Sequence, residues 1–207
     1  MTAEAVAQAL ERALVLPVVA LEDAETTEAL CRALLDGGIA CIEITFRTAA
    51  AAEAIARAVR VDGMLVGAGT VLTPGQAGVA ADAGAAFAVA PGIDEEVLGT
   101  AEALGLPFVP GVATPTELGR AVRLGHEVVK VFPASQLGGP AFLRALSATF
   151  PQVRFIPTGG VDAATLASYL EVPSVLACGG SWIADRALIA EGRFDEITRR
   201  AREAVAA

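Results

Sequence analysis

Lysine is almost absent from this chain. Fourteen of its fifteen cationic residues are Arg, and Lys130 is the only Lys in 207 residues. A composition that favours Arg elsewhere leaves Lys130 as a position whose chemistry Arg does not supply. An amine can lose its proton and attack carbon, whereas a guanidinium effectively cannot. Histidine is equally scarce, and a single residue, His126, excludes any metal site built on two His ligands. Its place after Gly125 reads as surface or packing rather than catalysis. The three cysteines, Cys31, Cys41 and Cys178, form no CxxC pair and no even framework. That excludes a disulfide-stapled fold and reads as buried thiols in a reducing cytoplasm. No apolar run reaches the roughly 18 residues of a membrane span. Residues 1–8 show no basic start of a secretory signal, so none is expected. The net charge of -9 argues against nucleic-acid and anionic-membrane partners. A small phosphorylated ligand stays open, because backbone amides bind phosphate whatever the net charge.

What is present is a regular alternation. The chain is 54% hydrophobic and 19% charged, the balance of a globular protein. Apolar, β-branched runs predict strands at residues 14–21, 41–47, 65–71, 85–91, 107–113, 127–133, 154–161 and 174–179. Helical stretches lie between them at 24–36, 48–60, 73–83, 94–104, 114–124, 139–149 and 162–170, with further helices at 4–13 and 194–205. Thr73-Pro74 and Thr114-Pro115 mark helix starts, the second with Glu117 placed for a capping box. Eight strands in βα alternation predict an α/β fold, a single-domain (β/α)8 TIM barrel with an extra N-terminal helix. The doubly wound alternative needs a glycine-rich turn after the first strand. Glu22, Asp23 and Ala24 stand there instead.

Polar residues inside these strands are the candidate chemistry. Strand residues two apart share a face. Glu43, Thr45 and Arg47 therefore oppose Ile42, Ile44 and Phe46, and point into the barrel if the apolar set packs on helices. A buried carboxylate and guanidinium read either as a structural ion pair or as a proton shuttle with a carboxylate clamp. Lys130 shares a face with Val128 and Phe132 near a strand's C-terminal end, where such barrels gather catalytic groups. It reads as a nucleophile or as a lysine reaching the rim. The seventh and eighth strands end in Thr158-Gly159-Gly160 and Gly179-Gly180-Ser181. Either pair alone is an ordinary turn; together, after those two strands, they suggest a phosphate site. Thr70, after Gly67 and Gly69, suits a substrate carboxylate or a turn cap. Pro91-Gly92 reads as a turn that shapes the mouth, and Trp182 as packing.

The segments 38–48 (GIACIEITFRT), 66–72 (VGAGTVL), 130–134 (KVFPA) and 157–161 (PTGGV) carry a resemblance over nearly the whole chain. It resembles the bacterial 2-keto-3-deoxy-6-phosphogluconate (KDPG) / 4-hydroxy-2-oxoglutarate (KHG) aldolases. The resemblance implies a class I lyase of the Entner–Doudoroff pathway, acting on a phosphorylated 2-keto acid, without metal or cofactor, as a cytoplasmic homotrimer. Carried over, Lys130 forms the Schiff base and Glu43 is the general acid/base. Arg47 and Thr70 hold the keto-acid carboxylate. Phe132 and Pro91 line the pocket, and Thr158, Gly159, Gly160, Gly180 and Ser181 hold the distal phosphate. The competing readings are a phosphate-binding sugar isomerase on the same barrel, an aldolase for the galactonate epimer, a pyridoxal-phosphate protein and a non-catalytic sugar-phosphate binder.

Overall fold

The computed structural model describes residues 1–206. Helix α1 (Ala3–Ala13) precedes β1 (Val15–Val19). A 3-10 turn (Ala24–Thr26) then leads into α2 (Thr27–Asp36) and β2 (Cys41–Thr45). Next come α3 (Ala51–Ala58), β3 (Leu65–Gly69), α4 (Pro74–Asp82), β4 (Phe87–Val89) and α5 (Glu95–Ala103). Two short strands follow, β5 (Phe108–Val109) and β6 (Gly111–Val112), then α6 (Pro115–Arg123) and β7 (Val128–Val131). The chain ends with α7 (Gly139–Thr149), β8 (Arg154–Pro157), α8 (Leu166–Leu170), β9 (Cys178–Gly180), α9 (Arg186–Ala190) and α10 (Phe194–Val205).

The strands form a curled parallel α/β sheet in two arcs. Six strands run in the order β5-β4-β3-β2-β1-β9 and three in the order β6-β7-β8. β8 meets the β9 side through isolated parallel bridges, Phe155 with Val175 and Thr158 with Gly179. β5 and β6 were expected as one strand, 107–113. Pro110 stands between them, and its missing N–H removes a ladder bond there. Three helices start later than the sequence suggests. Residues 24–26 make a 3-10 turn and residues 48–50 a turn before α3. Residues 162–165 are tied by Asp162, whose carboxylate accepts from the N–H groups of Ala164 and Thr165. This is an N-cap pattern, and the Leu166 N–H closing on the Asp162 carbonyl at 2.9 Å makes 163–165 an irregular first turn leading into α8. Helix α9 was not anticipated; Asp185 caps it by accepting from the Leu188 N–H at 3.0 Å.

The expected caps are in place. Thr73 accepts from the Gln76 N–H, and Thr114 with Glu117 forms the capping box. Helix stripes such as Val6, Ala7 and Leu10 of α1 join the sheet residues Leu16, Ile42, Ile44 and Val129 in one buried core. A polar misfit sits in this core: Thr27 is fully buried and its hydroxyl has no partner among the described residues. An unpaired buried hydroxyl costs about 1–3 kcal/mol, so Thr27→Val is expected to raise stability by about 1 kcal/mol. Urea unfolding checks this; a lower midpoint in the variant contradicts it.

Candidate active site

Strand period places the first two groups. On β2, Glu43 pairs in register with Val18 of β1 and Gly67 of β3. Its carboxyl fills the space beside Gly69, where a Cβ would overlap it. A glycine at 69 is therefore the condition for a carboxylate at 43. On β7, Lys130 is in register with Gly111 and Ile156. Its Nζ lies 3.2 Å from Glu43 Oε1. Lys130 is 5% exposed and Glu43 1%, so this is a buried pair, not a rim contact. The second carboxylate oxygen, Glu43 Oε2, is buried and has no partner among the described residues. Two desolvated charges with an oxygen left over make a poor stabilising device. They make a good reactive one, since an amine and a proton acceptor already share one low-polarity space. The Lys130 amine also lies 5.9 Å from the Phe132 ring centroid.

Above this pair the turn after β2 presents Arg47. Its Nε donates to Thr45 Oγ1 at 3.0 Å, and that hydroxyl donates to the Val19 carbonyl at 2.8 Å. The relay holds the guanidinium through its Nε, and Arg47 lines the cavity. Thr70, just after β3 and also on the cavity wall, has φ 57, a left-handed conformation. That is rare for a β-branched residue and costs on the order of 1–3 kcal/mol. Strain of this kind is tolerated where the surroundings dictate it, and here it turns Thr70 toward the cavity.

The remaining residues come from two loops. Gly159 and Gly160 have φ values of 94 and 75, in the region that favours glycine. A Cβ at Gly160 would overlap Ser135, and one at Gly180 would overlap the Trp182 ring. Among the described residues, no protein acceptor takes the backbone N–H of Gly160, Val161 or Ser181. With the Ser181 hydroxyl they form a small cradle of free donors, suited to an anion.

All eleven candidate residues line one cavity: Lys130, Glu43, Arg47, Thr70, Pro91, Phe132, Thr158, Gly159, Gly160, Gly180 and Ser181. Its volume is about 380 Å³. Val18, Thr45 and Val161 complete the wall. Thr45 was signalled by sharing a face with Glu43 and Arg47, and Val161 by following the glycine pair. Val18 gave no signal, because an apolar strand residue looks the same on either face. His126 is elsewhere, in a cavity beneath α1 with Val6, Leu10 and Phe108. Burial pushes its pKa below the ordinary imidazole value. Cys31, Cys41 and Cys178 are free and buried, and burial pushes each thiol up to about 12, which removes them from the chemistry.

A family model described as KDPG and KHG aldolase matches residues 6–200. A 2-dehydro-3-deoxy-phosphogluconate aldolase from Treponema pallidum is 50% identical over 193 residues, covering 92% of this chain and 91% of that protein. A KDPG aldolase from Legionella pneumophila, solved with pyruvate captured at low pH as a covalent carbinolamine intermediate, superimposes with a TM-score of 0.91. It is 37% identical and covers 95% of this chain and 96% of that one. The Zymomonas mobilis KDPG aldolase, solved with 3-phosphoglycerate, has a TM-score of 0.89 at 38% identity, covering 96% and 94%.

Proposed function

The chain belongs to the KDPG and KHG aldolase family, and on that premise we propose how it works as a lyase that cleaves KDPG to pyruvate and glyceraldehyde 3-phosphate. The observation that carries the reading is the buried Lys130–Glu43 pair with one carboxylate oxygen free. Lys130 Nζ adds to the C2 carbonyl, and the carbinolamine loses water to give an iminium. Glu43 takes the C4 hydroxyl proton. The C3–C4 bond breaks, its electrons pass into the iminium, and the aldehyde departs. The enamine left on Lys130 regains a proton at C3 from Glu43. Water then hydrolyses the iminium, frees pyruvate and restores the amine. A carboxyl group suits the shuttle because it accepts and donates within one cycle.

Arg47 and Thr70 hold the C1 carboxylate, the guanidinium offering two parallel donors. Pro91 and Phe132 close the walls. Thr158, Gly159, Gly160, Gly180 and Ser181 take the distal phosphate, which the free amides and the hydroxyl support. KHG presents the same keto-acid end without a phosphate, and is a secondary substrate. We read the two arcs as one closed (β/α)8 barrel in a single domain, broken only at Pro110 and at the bridged seam between β8 and β9. The assembly is a homotrimer in the cytoplasm; light scattering is expected to give three times the 21.0 kDa chain mass.

The direct assay supplies KDPG and follows pyruvate through lactate dehydrogenase and loss of NADH absorbance. Steady pyruvate release in stoichiometry with glyceraldehyde 3-phosphate is the expected result. A folded protein that releases none removes the proposal.

A further inference from the structure

Arg200 lies outside the cavity on α10, yet it is tied to the loop that ends at the cavity wall. Its Nη1 donates to the Trp182 carbonyl at 2.6 Å and to Asp185 Oδ2 at 3.0 Å. Its Nε donates to Glu196 Oε1 at 3.0 Å, so the guanidinium is held from its own helix as well. Trp182 follows Ser181 directly, and its ring lies against Gly180, where a Cβ would overlap it. Asp185 serves two masters: one oxygen caps α9 and the other takes Arg200. The cap bond from Leu188 first, and Arg200 after it, hold the Asp185 carboxyl below the usual carboxylate range. The segment 180–185 is thus pinned at both ends, by a ring over Gly180 and by one guanidinium across 182 and 185. Ser181, with its free N–H and hydroxyl, is the residue left between the pins.

We infer that Arg200 is a positioning residue that fixes the Gly180–Ser181 donors for the distal phosphate and so favours phosphorylated over unphosphorylated substrates. The inference rests on the proposed assignment of that cradle. Donors fixed before binding cost less ordering when the anion arrives. The phosphate is remote from the C3–C4 bond and is held equally before and during cleavage, so the loss should fall on KM and not on kcat. Nothing in the contacts of Arg200 reaches Lys130 or Glu43, so pyruvate alone should not sense it.

The test compares wild type with Arg200→Ala and Arg200→Lys. For KDPG, KM is expected to rise roughly tenfold in Arg200→Ala, the scale of one charge-assisted hydrogen bond, with kcat within about twofold. Arg200→Lys, which keeps one charged donor, should recover part of the loss. Exchange of the pyruvate methyl protons with deuterium should be unchanged in both. Calorimetric binding of inorganic phosphate should weaken in parallel with KM. If exchange falls along with KDPG cleavage, Arg200 is merely structural and the inference is overturned; unchanged KM and phosphate affinity also overturn it. If Arg200→Ala does not fold, Arg200→Lys and the phosphate titration decide. If wild type does not cleave KDPG but loses phosphate affinity with Arg200, the proposed function fails and the positioning role stands.

Discussion

Lys130→Ala is expected to abolish KDPG cleavage, lowering kcat by on the order of 10⁴-fold or more, the scale of losing a covalent nucleophile. No other residue can take over: the chain has no second lysine, and its fourteen arginines cannot act as amines. The variant has a second consequence that separates chemistry from folding. Glu43 is 1% exposed, and Lys130 is the partner of its one bonded oxygen. Removing that partner strands a buried carboxylate, which costs about 3–5 kcal/mol when a buried pair is broken from one side. Lys130→Met combined with Glu43→Gln removes both charges and is expected to recover most of that stability while staying inactive. Thermal unfolding and the lactate-dehydrogenase assay, run on the same samples, check both statements. Cleavage near the wild-type rate in either variant contradicts the role given to Lys130.

Glu43→Gln carries the second large effect. The amide keeps the size and one acceptor for Lys130, but it can neither take the C4 hydroxyl proton nor return one to C3. General acid–base catalysis of this kind is worth about 10²–10⁴-fold. KDPG cleavage and deuterium exchange at the pyruvate methyl should fall together by about that factor, because both require proton transfer at C3 by the same group. Schiff-base formation should persist, since the amine is intact. Unchanged exchange, followed by proton NMR, would take Glu43 out of the shuttle.

The parts of this site legible in the sequence are those where residue type conflicts with its setting. Glu43 and Arg47 stand out because they are charged and alternate with Ile42, Ile44 and Phe46. Lys130 stands out because it is alone. The glycine pairs gain meaning from their places after the last two strands. The alternation of elements is legible for the same reason: near-continuous apolar, β-branched runs and caps such as Thr73-Pro74 are local signals. Other features depend on distant contacts. Val18 reads like its apolar neighbours until the register with Glu43 puts it on the wall. The strain at Thr70 belongs to the turn that follows β3, which no residue type announces. Pro110 interrupts one strand by withholding a single ladder donor, and the first turn after Asp162 is irregular. Arg200 is one arginine among fourteen until α10 folds back onto the loop beyond Ser181.

Borohydride trapping asks whether Lys130 forms a Schiff base with a 2-keto acid. The protein is incubated with pyruvate, reduced with sodium borohydride, and examined by intact mass and peptide mapping. Apart from the α-amino terminus, only one amine is present, so the site is read without ambiguity. One reduced pyruvate on the peptide containing Lys130 is the expected result. A folded protein that carries no adduct there would contradict the account and reduce Lys130 to a buried charge.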